Sequence, residues 1–314
     1  MAVTNNNKPV IDLPSWEVLQ SLPAASAVGV SMCYDYRGTN RFIYLLISAT
    51  SFWRYDVQAN TYQQLASPPG GTVGAGTVMK FDPSRGAAGY VWALISNGSA
   101  TPTWQYYDCA ANTWTARSVT NLPATFGTDA ALAHTCSTYD AAGNDDYIYL
   151  IGNASTVLYR FSITGNAWVA TLQAQSSACG AGCALRWMPG WNTDRIVRIR
   201  GGATATVDYY SITGNSWTAI TFLPATETFT TGTMVACRGT ATDKIFIQKD
   251  ATMRVYELDL SDGTIIPVAT QFLIASGAAH VGDRMGYAKS TDGIEFLYIG
   301  LHTSAYMLRT ALFF

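Results

Sequence analysis

The segment Tyr107-Asp108-Cys109-Ala110-Ala111-Asn112-Thr113-Trp114 decides the fold, because the chain repeats its pattern. An apolar or aromatic residue ends one strand, a tight Asn/Gly turn follows, and an aromatic or isoleucine opens the next. The pattern returns as YDVQANTY from Tyr55, FSITGNAW from Phe161, YSITGNSW from Tyr210 and LDLSDGTI from Leu258. Successive starts lie 52, 54, 49 and 48 residues apart, a regular long period. Asn60, Asn112, Asn166, Asn215 and Gly263 stand where a short hairpin needs left-handed backbone, which these residue types tolerate.

Working outward, a second apolar strand precedes each repeat: RFIYLLIS, YVWALIS, YIYLIGN, RIVRIRGG and KIFIQKD, with a sixth, FLYIGLH, from Phe296. Before each of these comes a strand of smaller residues: AVGVSMCYD, GAGTVMKFD, ALAHTCSTYD, GCALRWMPG, GTMVACRG and DRMGYAKS. Small side chains suit an innermost strand, where blades crowd around an axis. The reading is all-β, with four antiparallel strands per period, which is one propeller blade. Long runs of helical periodicity are missing.

One further period after the fifth turn reaches the C-terminus, so the sixth blade lacks an outer strand. The N-terminus supplies it: WEVLQSLPA from Trp16 matches WTAITFLPA from Trp217, with Leu19 against Ile220, Leu22 against Leu223 and Pro23 against Pro224. The prediction is an N-terminal arm over 1–15 and a single six-bladed β-propeller over 16–314, its last blade closed by the N-terminal strand. Closure removes the unpaired edges of an open stack.

Composition narrows the function. The chain has 19 basic and 21 acidic residues and a net charge of −2, which excludes a general nucleic-acid surface. At 48% hydrophobic it is not disordered. Its apolar runs fall short of the about 18 residues of a membrane helix, so no membrane insertion is expected. Residues 1–16 have no basic stretch followed by an apolar one, so no secretory leader is expected. Threonine outnumbers lysine 37 to 5, which leaves a surface of uncharged polar groups. Such a surface suits long residence outside a cytosol or within a large assembly.

The order of small-residue strand, hydrophobic strand, Tyr-Asp strand, turn and Trp strand resembles the kelch repeat over about residues 16–314. The double glycine of that repeat survives as Gly201-Gly202, with Gly152 and Gly300 standing singly. The resemblance implies a protein-binding module, a glycan oxidase or lyase, or a bacteriophage virion part. The composition is most similar to the last of these.

Chemistry-bearing residues are few. Cys33, Cys109, Cys136 and Cys237 are expected as small buried hydrophobes within strands, while Cys179 and Cys183 in C-G-A-G-C could form a local bridge. His134 maps to the third blade, and His280 and His302 to the sixth, on opposite sides of the ring, so no shared metal is expected. SDGTI from Ser261 and STDGI from Ser290 fall short of a sialidase Asp box by one residue. Asp129, Glu227 and Asp283 map near one face, but nothing pairs them as glycosidase carboxylates. Trp104, Trp187 and Trp191 could stack sugars or fill blade packing; Trp168 and Trp217 read as structural by their repetition.

No catalytic, cofactor or metal site is therefore expected. The leading expectation is a non-enzymatic structural or docking component of a large assembly, a bacteriophage virion (tail, neck or capsid-associated). Its partners would be other virion proteins, met in part through residues 1–14, where Val10, Ile11 and Leu13 have no repeat counterpart to bury them. The alternative is a glycan- or receptor-binding propeller, extracellular or at a cell surface; the third is an enzyme acting on oligosaccharides.

Overall fold

Every described turn of the repeat takes the backbone its residue type allows. Asn60, Asn112, Asn166, Asn215 and Gly263 all have positive φ, between 45° and 78°. In this computed structural model the described residues are 17–23, 31–35, 42–48, 50–96, 101–122, 126, 130–134, 146–152, 154–169, 172–188, 191–192, 194–220, 228–230, 233–237, 243–249, 254–269, 285–289, 294–300 and 307–312. Residues 130–134, 234, 237, 254, 268–269, 286–289, 295, 300 and 312 are described by backbone alone.

The turns join strands into six four-stranded antiparallel sheets. Blade one contains β2 (Ser31–Tyr34), β3 (Phe42–Ser48), β4 (Ser51–Asp56) and β5 (Thr61–Gln64). Blade two contains β6 (Val78–Asp82), β7 (Tyr90–Ile95), β8 (Thr103–Asp108) and β9 (Thr113–Arg117). Blade three contains β10 (Ala130–His134), β11 (Tyr147–Gly152), β12 (Leu158–Ser162) and β13 (Ala167–Val169). Blade four contains β14 (Ala184–Trp187), β15 (Arg195–Ile199), β16 (Val207–Ser211) and β17 (Ser216–Ile220). Blade five contains β18 (Met234–Cys237), β19 (Lys244–Lys249), β20 (Arg254–Asp259) and β21 (Ile265–Ala269). Blade six contains β22 (Met285–Lys289), β23 (Glu295–Gly300), β24 (Met307–Leu312) and, outermost, β1 (Glu17–Val18). The first strands of the blades neighbour one another in a closed circle, with β22 returning to β2. The chain is thus a six-bladed β-propeller, without helix among the described residues.

Closure is by the N-terminal strand, as its sequence predicts. Glu17 pairs with Arg309 and Val18 with Leu308, and the Leu19 amide continues the ladder to the Met307 carbonyl at 2.9 Å. Leu19 and Leu22 are buried with Met32, Tyr34 and Ile43 of blade one and with Tyr298 and Met307 of blade six. Ile220, the counterpart of Leu19, is buried in the same way. The expected arm over residues 1–15, and Trp16, lie outside the described residues.

The core lies between blades, where middle strands present alternate side chains to both neighbours. Polar clamps on the outer rim reinforce it. Asn112 Oδ1 accepts the Tyr107 hydroxyl at 2.8 Å and the Ala66 amide of the preceding blade at 2.9 Å, while Trp114 Nε1 donates to the Ala66 carbonyl at 2.7 Å. Asn215 does the same with Tyr210 and Gln173, and Trp217 donates to the Gln173 carbonyl. Asn166 accepts the Ser118 amide alone, because Phe161 stands in place of the tyrosine. Blade one uses Asn60 with Tyr55 and Gln20, and the Tyr62 hydroxyl takes the indole's part. Blade five has Gly263 at this position and so no clamping amide.

Asn112→Ala removes two hydrogen bonds and leaves at φ 56° a side chain without the polar group that lets asparagine tolerate left-handed backbone. We expect it to cost about 2–4 kcal/mol in urea unfolding, and Asn112→Gly about 1–2, since glycine keeps the turn but not the clamp. Equal costs for the two would show that backbone strain is negligible there.

Candidate functional site

The ring has two faces. Of the residues singled out for chemistry, His134, Trp187 and Trp191 lie at the face bearing the loops between first and second strands, and Cys179 and Cys183 at the other, which bears the loops between second and third strands and the connectors between blades. The described backbone shows how that face is built. The Ala203 amide donates to the Phe229 carbonyl and the Phe229 amide to the Thr204 carbonyl, so a loop of blade four pairs with the connector into blade five. The Ala154 amide donates to the Cys179 carbonyl and the Cys179 amide to the Ser155 carbonyl, one blade earlier.

His134 ends β10, and its side chain is not among those described. His280, His302, Asp129, Glu227, Asp283 and Cys136 lie outside the described residues. Among the described residues there is no group of three or more metal-ligating side chains. The tryptophans are placed more definitely. Trp104, Trp168 and Trp187 are buried in inter-blade clusters, and Trp104 lies within β8. Trp191 is half-buried, edge-on to Tyr209 at 5.4 Å, with the Arg195 guanidinium 4.5 Å from its ring. Cys109 follows the end of β8 instead of lying within a strand, because its neighbour Asp108 caps the turn.

The most highly charged buried site among the described residues was not legible as such. Arg198 and Asp208 are directly opposed on β15 and β16. Arg198 Nε donates to Asp208 Oδ1 at 2.6 Å, its Nη2 pairs with Oδ2, and Arg200 Nη2 reaches Oδ2 at 3.1 Å. Arg198 is 0% exposed, lies 4.7 Å from the Trp217 ring, and its Nη1 is 3.4 Å from the Cys179 sulfur. The carboxylate raises the pKa of Arg198 against the opposing effect of burial. With these groups engaged inward, the site holds blade four together. The signal was present as RIVRIR before TVDYY, but only strand register shows that one arginine faces the aspartate.

The opposite face carries the turns, and their carboxylates are occupied locally. Asp56 and Asp108 accept the amides two and three residues ahead. Blades three and four have Ser162 and Ser211 at this position. Asp146 and Asp194, from the preceding turn, replace the missing carboxylates by accepting those hydroxyls and the amides and hydroxyls of Thr164 and Thr213. Asp259, beside the Ser261 segment that resembles an Asp box, accepts the Ser261 amide at 2.9 Å.

Burial opposes ionisation of Asp146 and Asp194, but the hydrogen bonds outweigh it and hold both carboxyls below their ordinary range. A depressed folded pKa adds stability that is whole above the unfolded value of about 4 and is lost as pH falls through the folded value. The double variant Asp146→Asn/Asp194→Asn is therefore expected to melt below the wild type at pH 7, with the gap narrowing below about pH 4. A gap unchanged at low pH would contradict this.

The same face carries a diagonal contact repeated in all six blades, between the second strand's entry and the third strand's end. The pairs are Arg54 over Phe42, Tyr90 on Tyr106, Arg160 over Tyr147, Arg195 over Tyr209, Lys244 with Glu257 and Arg309 over Phe296. The guanidinium-to-ring distances run from 4.2 to 4.7 Å. A cation–π contact, an aromatic stack and an ion pair thus replace one another at a single place in the blade.

No protein-family model matches the chain, and no curated protein matches it. Among solved structures, it is similar to a structural-genomics protein of unknown function from Bacteroides thetaiotaomicron VPI-5482, with 13% identity, TM-score 0.61, and coverage of 95% of this chain and 72% of that one. It is also similar to an auxiliary nutrient binding protein from Bacteroides ovatus ATCC 8483, with 11% identity, TM-score 0.61, and coverage of 94% and 72%. A third similar structure is U3-55K, with 11% identity, TM-score 0.58, and coverage of 95% and 98%. At these identities the shared property is the propeller fold.

Proposed function

We propose that this propeller is a non-enzymatic, kelch-like docking or structural component of a large assembly, and that the assembly is a bacteriophage particle. The observation that supports this is the outer rim. On β5, β9, β13 and β17 the exposed positions are Thr61, Gln63, Gln64, Thr113, Thr115, Ala116, Ala167, Ser216, Thr218 and Ala219, all uncharged. Asp82, Arg186, Arg198, Asp208 and Glu257 are buried instead. A rim neutral over these four blades, with Glu17 of β1 an exposed charge on the sixth, can be covered by a partner with little desolvation of charge, whereas a protein kept dispersed at high concentration benefits from surface charge. Residues 1–14, outside the described residues, would extend this docking by adding a strand to a neighbour, with Val10, Ile11 and Leu13 in its pockets.

A second reading, a glycan-binding propeller, is favoured by the half-buried group of Trp191, Tyr209 and Arg195. It would also suit a fold shared with the nutrient-binding protein. Purification from the producing cells tests the two. Co-sedimentation in a symmetric particle, weakened when residues 1–14 are removed, supports docking. A stable monomer with saturable oligosaccharide affinity that Trp191→Ala abolishes would replace it by the second reading.

A further inference from the structure

The connector into blade four runs Cys179-Gly180-Ala181-Gly182-Cys183, three small residues between two thiols. Both cysteines are buried in one cluster with Tyr149, Leu158, Leu185 and Tyr210, and neither is in a disulfide. The segment turns back on itself, since the Cys183 amide donates to the Gly180 carbonyl at 3.2 Å. That turn keeps both side chains in the same buried cluster. Arg198 Nη1 approaches the Cys179 sulfur at 3.4 Å. The Cys179 sulfur therefore has a guanidinium donor, with a second thiol in the same cluster. The Cys183 hydrogen bond, followed by Arg198, holds the Cys179 thiol below its ordinary range, although burial opposes this. A stabilised thiolate with a second thiol in the same cluster is the arrangement that reacts with peroxide and then resolves, at a rate that burial slows.

We propose that Cys179 and Cys183 are a peroxide-reactive dithiol that closes reversibly to a disulfide, with Cys179 as the attacking sulfur and Cys183 as the resolving one. The oxidant is hydrogen peroxide, small enough to reach a buried pair. The Cys179 thiolate attacks one peroxide oxygen, the O–O bond breaks, and the departing hydroxide takes a proton to become water, leaving a sulfenic acid. Cys183 then loses its proton and attacks the Cys179 sulfur; the S–O bond breaks and a second water leaves. Two thiols and one peroxide give one disulfide and two waters, and an external dithiol reductant reverses the change.

The location gives the reaction a structural readout. The Gly180 amide donates to the Arg200 carbonyl, and the Gly202 amide to the Ala181 carbonyl. Gly182, at φ 82°, lies so close to the Thr230 carbonyl of the next connector that a β-carbon would collide with it. The disulfide would thus tie the loop at the seam of blades four and five, where the asparagine clamp is replaced by Gly263.

The test uses the full-length reduced protein, treated with hydrogen peroxide, alkylated, digested and mapped by mass. The expected result is a 179–183 peptide lacking two hydrogens and restored by dithiothreitol. In Cys183→Ser, dimedone should label Cys179; in Cys179→Ser, labelling of Cys183 should be at least about tenfold slower. If both thiols of the wild type stay alkylatable while Cys109 oxidises, or if dimedone marks Cys183 instead, the assignment is overturned. The wild-type map decides the matter even if a variant misfolds.

Discussion

Removal of residues 1–23 is expected to leave a protein that aggregates rather than a less stable monomer. The deletion takes the outer strand from blade six and exposes the ladder edge of β24, a template for pairing with other chains. It also takes Leu19 and Leu22 from their cluster, at about 1.5–3 kcal/mol each, from a total stability of about 5–15 kcal/mol for a typical domain. The Arg309–Glu17 ion pair matters least, because the Glu17 side chain is 56% exposed and such pairs contribute about 0–1 kcal/mol. Leu22→Ala should therefore lower stability by about 2–5 kcal/mol, while Glu17→Gln stays within about 1. Solubility, light scattering and urea unfolding measure all three. A soluble, monomeric deletion variant with the wild-type melting temperature would show that the ring does not depend on this strand.

Asp208→Asn is the point substitution expected to cost most, about 3–5 kcal/mol in urea. It leaves the Arg198 guanidinium, fully buried, without the carboxylate that compensates its desolvation. Arg200 keeps access to water and adds little to the loss. Replacing both partners, Arg198→Met with Asp208→Leu, removes the charges together and should recover most of the stability, because a buried pair contributes little over well-packed apolar groups. If the single and double variants unfold alike, the pair acts through packing rather than charge.

The blade plan was legible because it rests on short-range chemistry. A positive φ at Asn60 or Asn215 follows from the turn, and the unbroken apolar run from Phe42 to Ile47 follows from a strand covered on both sides. Closure was legible because the N-terminal strand kept the spacing of Leu19 and Leu22 seen at Ile220 and Leu223. Side-chain partners chosen by register were not legible. The Arg54–Phe42 and Lys244–Glu257 contacts share one diagonal yet have no chemistry in common. Nor does local sequence show that Asp146 serves a turn at Ser162, or that Cys179 meets Arg198 across a connector. Of the expected histidine and acid positions, His134 ends a strand and the others lie outside the described residues.

The clamp at Gln20 bears on the order in which the ring is made. Its partners Asn60 and Tyr62 lie about forty residues downstream, whereas the ladder partner of the same strand, β24, lies near the far end of the chain. During synthesis, blade one can therefore fasten residues 19–22 long before blade six exists. The final pairing then joins a waiting strand to an arriving one within a formed scaffold, rather than recruiting a loose terminus across the whole polypeptide. Little loop-closure entropy is left for the last step. The N-terminal strand finishes blade six, but its time as an unprotected edge is governed by blade one.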